Sequence, residues 1–474
     1  MKKLLSILIC FILIASCCVL FVGCTNNNAE ATLYSDNLVQ EIETKGEIYT
    51  ITLTGKHHVD TLVLEEATDN VVSFGVYGKE DDGSYTLIYK QNRIDKYRVC
   101  SLDEIVTDEL RIEIYNRQGK VKISNIEVYD STAVKRETPF RVVDYFLSTD
   151  QKLQNNQNKK EFYNHLKVVD DLLLFGDISM GSDANIVYKE GKEDFTTDIN
   201  TINLLKGETK ANNPDLKVIV NVDIKSNSVA SDEKKPNKAV YKWIKANMAT
   251  IVSNLVTFVN EFGIDGLNID WDYPENGTQW NWLSKLIVEL DKQLDGLGKF
   301  VTISLNPDSC NLSKKARNAL EYVNLQTYDM FDERGEHSSN YETCRHSVET
   351  FMKKSKFTKD KIMLGIPFYG RTTNQSSEIV EFGRYYESNT NTINKWINVI
   401  YNYNYVGKED GIEKYSELYF NGYAMVRDKT TYAIASGLGG VAVFKFDFDT
   451  GEDKELALHN AVKEAIARGI KITE

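Results

Sequence analysis

Asn268, Asp270 and Asp272 stand two residues apart inside the otherwise apolar run IDGLNIDWDYP, residues 264–274. In an extended strand alternate side chains point to opposite faces, so these three form one polar column on one side. Core strands do not ordinarily carry such a column, because a buried carboxylate without partners is costly. Carboxyl groups held close together also resist double ionisation, which keeps a proton available near neutral pH. The chemistry within reach of the column is therefore acid–base work. Asp265 lies three residues before Asn268, off the column, and reads as structural. Glu275 lies beyond Pro274 in the following loop and is a weaker candidate acid.

The segments around the column must form a frame that can present it. From residue 141 onward, apolar strand-like cores alternate with stretches of helical periodicity: RVVDYFLS, DLLLFGDI, LKVIVNVDI, the amphipathic run 239–262, the 264–274 run itself, FVTISLNP, YVNLQTYDMF, KIMLGIPFYGR and LGGVAVFKFDFD. Nearly eight strand cores, each followed by a helix-like stretch, predict an α/β fold, a parallel (β/α)8 TIM barrel over 138–474. In such barrels chemistry sits at the carboxyl ends of the strands, where Asp272 falls. Residues between Arg371 and about Thr430 are rich in Tyr and Asn without clean period, and predict an inserted element over one rim.

Ahead of the barrel, residues 31–130 read as short alternating strands broken by polar turns: TITLTG, DTLVLEE, VSFGVYG, YTLIYK, LRIEIYN and VKISNIEVYD. This predicts an antiparallel β-sandwich, joined to the barrel by the polar stretch 131–139. The extreme N-terminus carries Lys2 and Lys3, an apolar run over 4–22, then Gly23-Cys24 and a polar tract. That is the pattern of an export signal, residues 1–23, with Cys24 as the lipidated first residue of a bacterial lipoprotein. Cys17 is the alternative lipidation site and an uncleaved anchor the alternative topology. Either way the expected location is extracytoplasmic, at the cell surface, with the membrane as a partner through this anchor. The net charge of −13 over 474 residues argues against nucleic acid, which needs clustered Lys and Arg; a neutral sugar would be indifferent to it.

The residues of the column, taken with three later motifs, resemble glycoside hydrolase family 18, the chitinases and their relatives. The family's fourth-strand hallmark DGxDxDWE is matched in frame by Asp265-Gly266-Leu267-Asn268-Ile269-Asp270-Trp271-Asp272. Leu325-Gln326-Thr327-Tyr328-Asp329 is similar to the family's MTYD strand, residues 364–371 to its seventh strand, and residues 437–441 to the start of its eighth. The sandwich segment resembles, in strand order alone, the galactose-binding-like discoidin-type domains appended to carbohydrate-active enzymes. A plain spacer is the other reading of it.

What the resemblance implies is hydrolysis of β-linked N-acetylglucosamine glycans by substrate-assisted retention, a known exception to the two-carboxylate scheme. Asp272 would protonate the leaving oxygen, Asp270 would orient the substrate acetamido group, and Tyr328 would hydrogen-bond its oxygen. Asn268, Asp329, Tyr145, Gln326 and Phe444 would line the sugar subsite. No cofactor and no metal are implied, and a monomer is expected. Several residues depart from the family pattern. Asp272 replaces Glu and is one methylene shorter, and a misplacement of about an ångström can cost about a hundredfold in rate. Asn268 replaces an Asp, Phe444 a Trp and Gln326 a Met, while Asn221-Val222-Asp223 replaces a small Ser/Gly pattern. A second reading is therefore a catalytically weak or inactive, chitinase-like carbohydrate-binding surface lipoprotein.

The remaining residues carry less. Trp271 reads as packing between strand and helix, while Trp280 and Trp282 could stack on sugar or cover a helix. The His residues, including His57 and His58, show no metal-ligand spacing. Cys100, Cys310 and Cys344 form no disulfide framework; Cys310 and Cys344 could pair in an exported protein, with simple burial the default.

Overall fold

The computed structural model describes residues 36–130, 134–136, 138–147, 164–176, 178–188, 213, 215–224, 236–271, 273–330, 340–373, 375–390, 392–406, 411, 413–451 and 454–472. Cys17, Cys24 and the rest of the export segment lie outside them, as does Asp272. Among the described residues no helix is long and apolar enough to cross a membrane.

The first six strands are β1 (Val39–Lys45), β2 (Ile48–Glu66), β3 (Val71–Lys79), β4 (Tyr85–Gln91), β5 (Tyr97–Arg117) and β6 (Ile123–Tyr129). They form one antiparallel sheet ordered β1-β2-β5-β3-β4, with β6 also on β2. Two strands, β2 and β5, are far longer than the short strands expected. Register shifts between Thr52 and His57 and between Val59 and Thr61 break their pairing, as bulges do when a strand bends. Beyond the break β2 pairs with β6, and before it with β1. Ile51, Leu110 and Ile112 from one half and Leu62, Leu64 and Ile126 from the other then share a single core. Alternation in the sequence marks the faces correctly but cannot reveal that one strand serves both halves.

After the short strand β7 (Val134–Arg136) the barrel begins. Its staves are β8 (Arg141–Phe146), β9 (Asp171–Leu174), β12 (Lys217–Asp223), β13 (Gly266–Asp270), β14 (Phe300–Leu305), β15 (Leu320–Leu325), β16 (Ile362–Pro367) and β21 (Gly440–Phe444). Parallel pairing runs around this series, and β21 pairs with β8 to close it. Two short strands lie to one side of β12: β10 (Ile178–Met180) pairs with it and β11 (Ile186–Tyr188) pairs with β10. The staves are apolar along nearly their whole length because helices cover their outer faces. Helix α1 (Pro236–Phe262) precedes the fourth stave and α2 (Gly277–Leu294) follows it, its start capped by the Asn276 side chain on the Thr278 and Gln279 amides. Helix α3 is Lys314–Ala319 and α4 is Tyr341–Ser355. Gly365 allows the sixth and seventh staves to approach closely, since a Cβ there would meet the Leu325 carbonyl.

The expected insertion is present. β17 (Tyr369–Thr372), β18 (Gln375–Glu381), β19 (Val399–Val406) and β20 (Glu413–Phe420) form a four-stranded antiparallel sheet, with α5 (Phe382–Ser388) between the second and third. Helices α6 (Tyr423–Ala435) and α7 (Leu458–Gly469) then flank the eighth stave. The last strand β22 (Ile470–Ile472) pairs in parallel with β7.

Residues 31–474 form one compact unit. The fully buried Arg98 of β5 reaches across to α6. Its Nη2 donates to Asp428 at 2.9 Å, its Nε donates to Tyr89 Oη at 2.8 Å, and its guanidinium lies 4.6 Å over the Tyr341 ring. Asp428 also accepts from the Ser101 amide at 2.9 Å. Beside this cluster Arg427 bonds Asp103 and Glu464, each at 3.1 Å.

Candidate active site

Residues facing into a parallel barrel stack in layers, and here one such layer is polar. Asn268 at its centre is fully buried. Its Nδ2 donates to Asn221 Oδ1 at 2.6 Å and to Ser304 Oγ at 2.9 Å; its Oδ1 accepts from Thr302 Oγ1 at 2.9 Å and from Asn324 Nδ2 at 3.3 Å. Four bonds exhaust the capacity of a primary amide. All four partners are protein, so Asn268 works on the site through its neighbours and has no surface for a substrate. Tyr145, from the first stave, shares a 2.6 Å hydrogen bond with Ser304 in the same layer.

One layer up, at the carboxyl ends, Asp270 faces Asp223 across adjacent staves in parallel register. The Asn221 amide lies between them, donating to Asp223 at 2.7 Å and more weakly to Asp270 at 3.4 Å. Asp223 was not among the sequence candidates. Its signal was its place two residues after Asn221 at the end of the third stave, the same spacing that singled out Asn268 and Asp270. Asp272, the expected acid, belongs to the residues not described.

Around the mouth, aromatic rings gather on Phe444 at the end of the eighth stave. Tyr328 and Phe175 lie 5.4 Å from it, Tyr145 5.5 Å, Tyr369 6.1 Å and Phe448 6.5 Å. The Phe444–Lys445 peptide bond is cis. Phe175 escaped the sequence reading, although it directly follows the second stave. Burial pushes the Tyr328 phenol well above its ordinary range, and the neighbouring Tyr145, Tyr369 and Asp270 push it further. Burial likewise raises Tyr145, against the pull of its bond to Ser304. Both phenols keep their protons at neutral pH and remain donors.

Asp329 and Gln326 make a second tier. Asp329 holds a left-handed backbone, φ 56°, and its carboxylate takes both prongs of Arg371, at 2.8 and 2.7 Å, together with the Tyr369 hydroxyl at 2.8 Å. Such strain persists only where the surroundings over-determine it, and it clusters at functional sites. The Gln326 carbonyl oxygen accepts from Tyr273 at 2.7 Å, tying the loop after the fourth stave to the one after the sixth.

Other candidates fall elsewhere. Asp265 accepts from the Val218 amide at 2.9 Å, away from the mouth, and is structural. Glu275 is exposed ahead of α2. Trp271 is buried with its indole N–H on Asn237 at 2.9 Å, as a packing residue should be. Trp280 is buried in α2, and Trp282 lies under Lys285 on the outer face of the barrel. Cys310 and Cys344 are free thiols, not a pair.

A buried ionic cluster lies behind the wall. His459 of α7 meets Asp144 through Nε2 and Asp449 through Nδ1, both at 2.7 Å. Burial lowers its pKa, but the two carboxylates outweigh burial and lift it to about 9. Burial raises Asp144 to about 7, despite His459. His165 stacks on His459 at 4.3 Å and is lowered to about 4 by burial and by that neighbour's charge. His165, Asp449 and His459 put ligand atoms within 4.8 Å of one another. Both His459 nitrogens point at carboxylates and His165 Nε2 points at the Thr450 carbonyl, 2.8 Å away, so these nitrogens carry protons and the donor set does not suit a metal.

With the barrel closed and its polar layer at the mouth, comparison with known proteins is decisive. The profile of glycosyl hydrolases family 18 matches residues 141–449, about two thirds of the chain. The chain belongs to that family. It is 26% identical over 236 residues to Chitinase 1 of Aphanocladium album, covering 41% of this chain and 54% of that protein. To Endochitinase 1 of Metarhizium anisopliae it is 23% identical over 251 residues, covering 44% of this chain and 58% of that protein. It thus spans little more than half the length of these curated relatives. Among solved structures, the chitinase ChiB of Flavobacterium johnsoniae superposes with a TM-score of 0.52 at 21% identity, over 71% of this chain and 96% of that one. The spore cortex-lytic enzyme SleL of Bacillus megaterium superposes with a TM-score of 0.52 at 13% identity, over 75% and 79%. At such identities the likeness is one of fold.

Proposed function

We propose that this family-18 barrel hydrolyses β-linked N-acetylglucosamine glycans, chitin-like or N-glycan, by substrate-assisted retention. The observation that carries the reading is Asp270, at the end of the fourth stave, within electrostatic reach of the buried Tyr328 phenol beside a bowl of aromatic rings. A sugar ring seated on Phe444 would meet a phenolic donor and a carboxylate together. Tyr328 would hold the substrate acetamido oxygen as it attacks the anomeric carbon, Asp270 would orient that group and offset the positive charge that develops, and Asp272 would give its proton to the leaving oxygen. Tyr145, Gln326 and Asp329 shape the subsite from behind. The protein would work at the cell surface, lipid-anchored at Cys24 as the sequence 1–28 supports, with residues 31–130 as a galactose-binding-like domain.

The amide at Asn268 favours a second reading, recognition with little or no turnover. It cannot titrate, so the proton cycling behind Asp270 is altered. One experiment separates the two: turnover of fluorogenic N-acetylglucosamine oligomers and, in parallel, their binding. The hydrolase reading expects slow release by the parent, a rise of about tenfold or more in Asp272→Glu, loss in Asp272→Ala, and weaker binding in Phe444→Ala. Silence from both the parent and Asp272→Glu, with binding intact, would establish the lectin reading in its place.

A further inference from the structure

A cleft of about 280 Å³ opens between the N-terminal sheet and the insertion, apart from the barrel mouth and sharing no residue with it. Ligand sites for small molecules begin at about 300 Å³ and favour domain junctions. One wall is the edge of the sheet at Asn92, Arg93 and Asn116; the other is the insertion at Tyr401, Tyr419 and Asn421, and Tyr341 from the start of α4 lies between.

Two independent backbone departures aim side chains at this cleft. In the turn between β4 and β5, Arg93 (φ 63°) and Asp95 (φ 60°) are both left-handed, a conformation that residues with a Cβ rarely hold outside functional or over-determined turns. In the insertion, the pairing of β19 with β20 slips between Ile400 and Tyr403, where Asn402 has φ 57°. A bulge re-aims the side chain beside it, and Tyr401 is left 65% exposed on the rim.

The electrical character of the cleft narrows its ligand. Arg98 in the floor is committed to Asp428 at 2.9 Å and also lies 4.0 Å from Asp95. Counting Arg93 and Arg98 against Asp95 and Asp428, the charges in and behind the walls cancel. Beside these charged groups and a few apolar side chains, the lining carries the amides of Asn92, Asn116 and Asn421 and the rings of Tyr401 and Tyr419. A primary amide offers a donor and an acceptor side by side, which suits adjacent hydroxyls, and an aromatic face suits the C–H face of a pyranose.

We propose that this cleft is a second binding site, for one or two rings of a neutral saccharide, independent of catalysis in the barrel. The test is calorimetric titration of the full chain with N,N′-diacetylchitobiose, cellobiose and lactose, using the parent, Tyr401→Ala, the double variant Asn92→Ala/Asn116→Ala, and Phe444→Ala. All three cleft side chains are exposed, and unchanged unfolding midpoints would show the fold intact. At least one disaccharide should bind the parent at a site whose affinity falls tenfold or more in both cleft variants and survives in Phe444→Ala, whatever that variant does to binding at the barrel mouth. Binding unchanged in the cleft variants, or no binding of any of the three to the parent at millimolar concentration, overturns the proposal. Loss in Phe444→Ala alone sinks this site and leaves the barrel reading standing.

Discussion

Replacing Asn268 with Asp would restore the residue type of the family's frame, and the packing around it predicts that the molecule loses stability in consequence. The amide donates to Asn221 at 2.6 Å and to Ser304 at 2.9 Å; an ionised carboxylate has nothing to donate. If the introduced carboxyl ionised, Asn221 would have to reverse its own amide to offer Nδ2, withdrawing it from Asp223 and Asp270. Hydrogen bonds to charged groups are worth about 1.5–3 kcal/mol, and a new buried charge adds to the loss. If that carboxyl stayed protonated at pH 7, holding a proton about three pK units beyond its ordinary value would cost about 4 kcal/mol. Both routes give a deficit of about 2–4 kcal/mol, a sizeable share of ordinary stability, about 5–15 kcal/mol. The sign in pH follows. The folded pKa of the new group lies above the unfolded one, so the pH-dependent part of the deficit is absent below about pH 4, leaving the loss of one of the amide's two donors, and it grows as pH rises through the unfolded value. Urea unfolding of parent and variant at pH 4 and pH 7 measures it. Equal midpoints at both values, or a larger deficit at pH 4, would refute the account of the layer.

Two further substitutions probe the frame that holds the site. His459 has a folded pKa of about 9, above the unfolded value of about 6.5, so its contribution is complete below pH 6.5 and is lost as pH rises through 9; His459→Gln should cost about 3–5 kcal/mol at neutral pH and flatten the alkaline fall in unfolding free energy between pH 7 and 10. Arg98→Met leaves Asp428 buried without its cation and should cost a similar 3–5 kcal/mol. Because sheet and barrel share that contact, tryptophan fluorescence and far-ultraviolet dichroism should report one common transition in the parent and two separated ones in the variant.

Much of this was legible in the chain itself. Each of the eight staves falls on an apolar core visible in the sequence, because a strand covered on both faces must be apolar nearly throughout. Asp270 could be picked out because a carboxylate interrupts such a run. Tyr328 stood out because it lies in a stretch that resembles a family motif, whereas Tyr145 lies in none of the matched stretches. The extent of β2 and β5 could not be read, since alternation is the same whether a strand stops or bends. Nor could the Arg98–Asp428 contact, whose partners are 330 residues apart, or the His459 cluster, which joins the first stave, the loop after the last and the final helix.

The sequence by itself therefore determined the barrel, its order of staves and the polar column on the fourth, because periodicity and local composition are properties of neighbouring residues. Only the tertiary structure decided what the column does. Closing the barrel turned Asn268 into a saturated amide that orients Asn221, brought Asp223 into register beside Asp270, and set Phe444 among five other rings. Those relations join staves that the chain separates by dozens to hundreds of residues, and they exist only once the last stave has paired with the first.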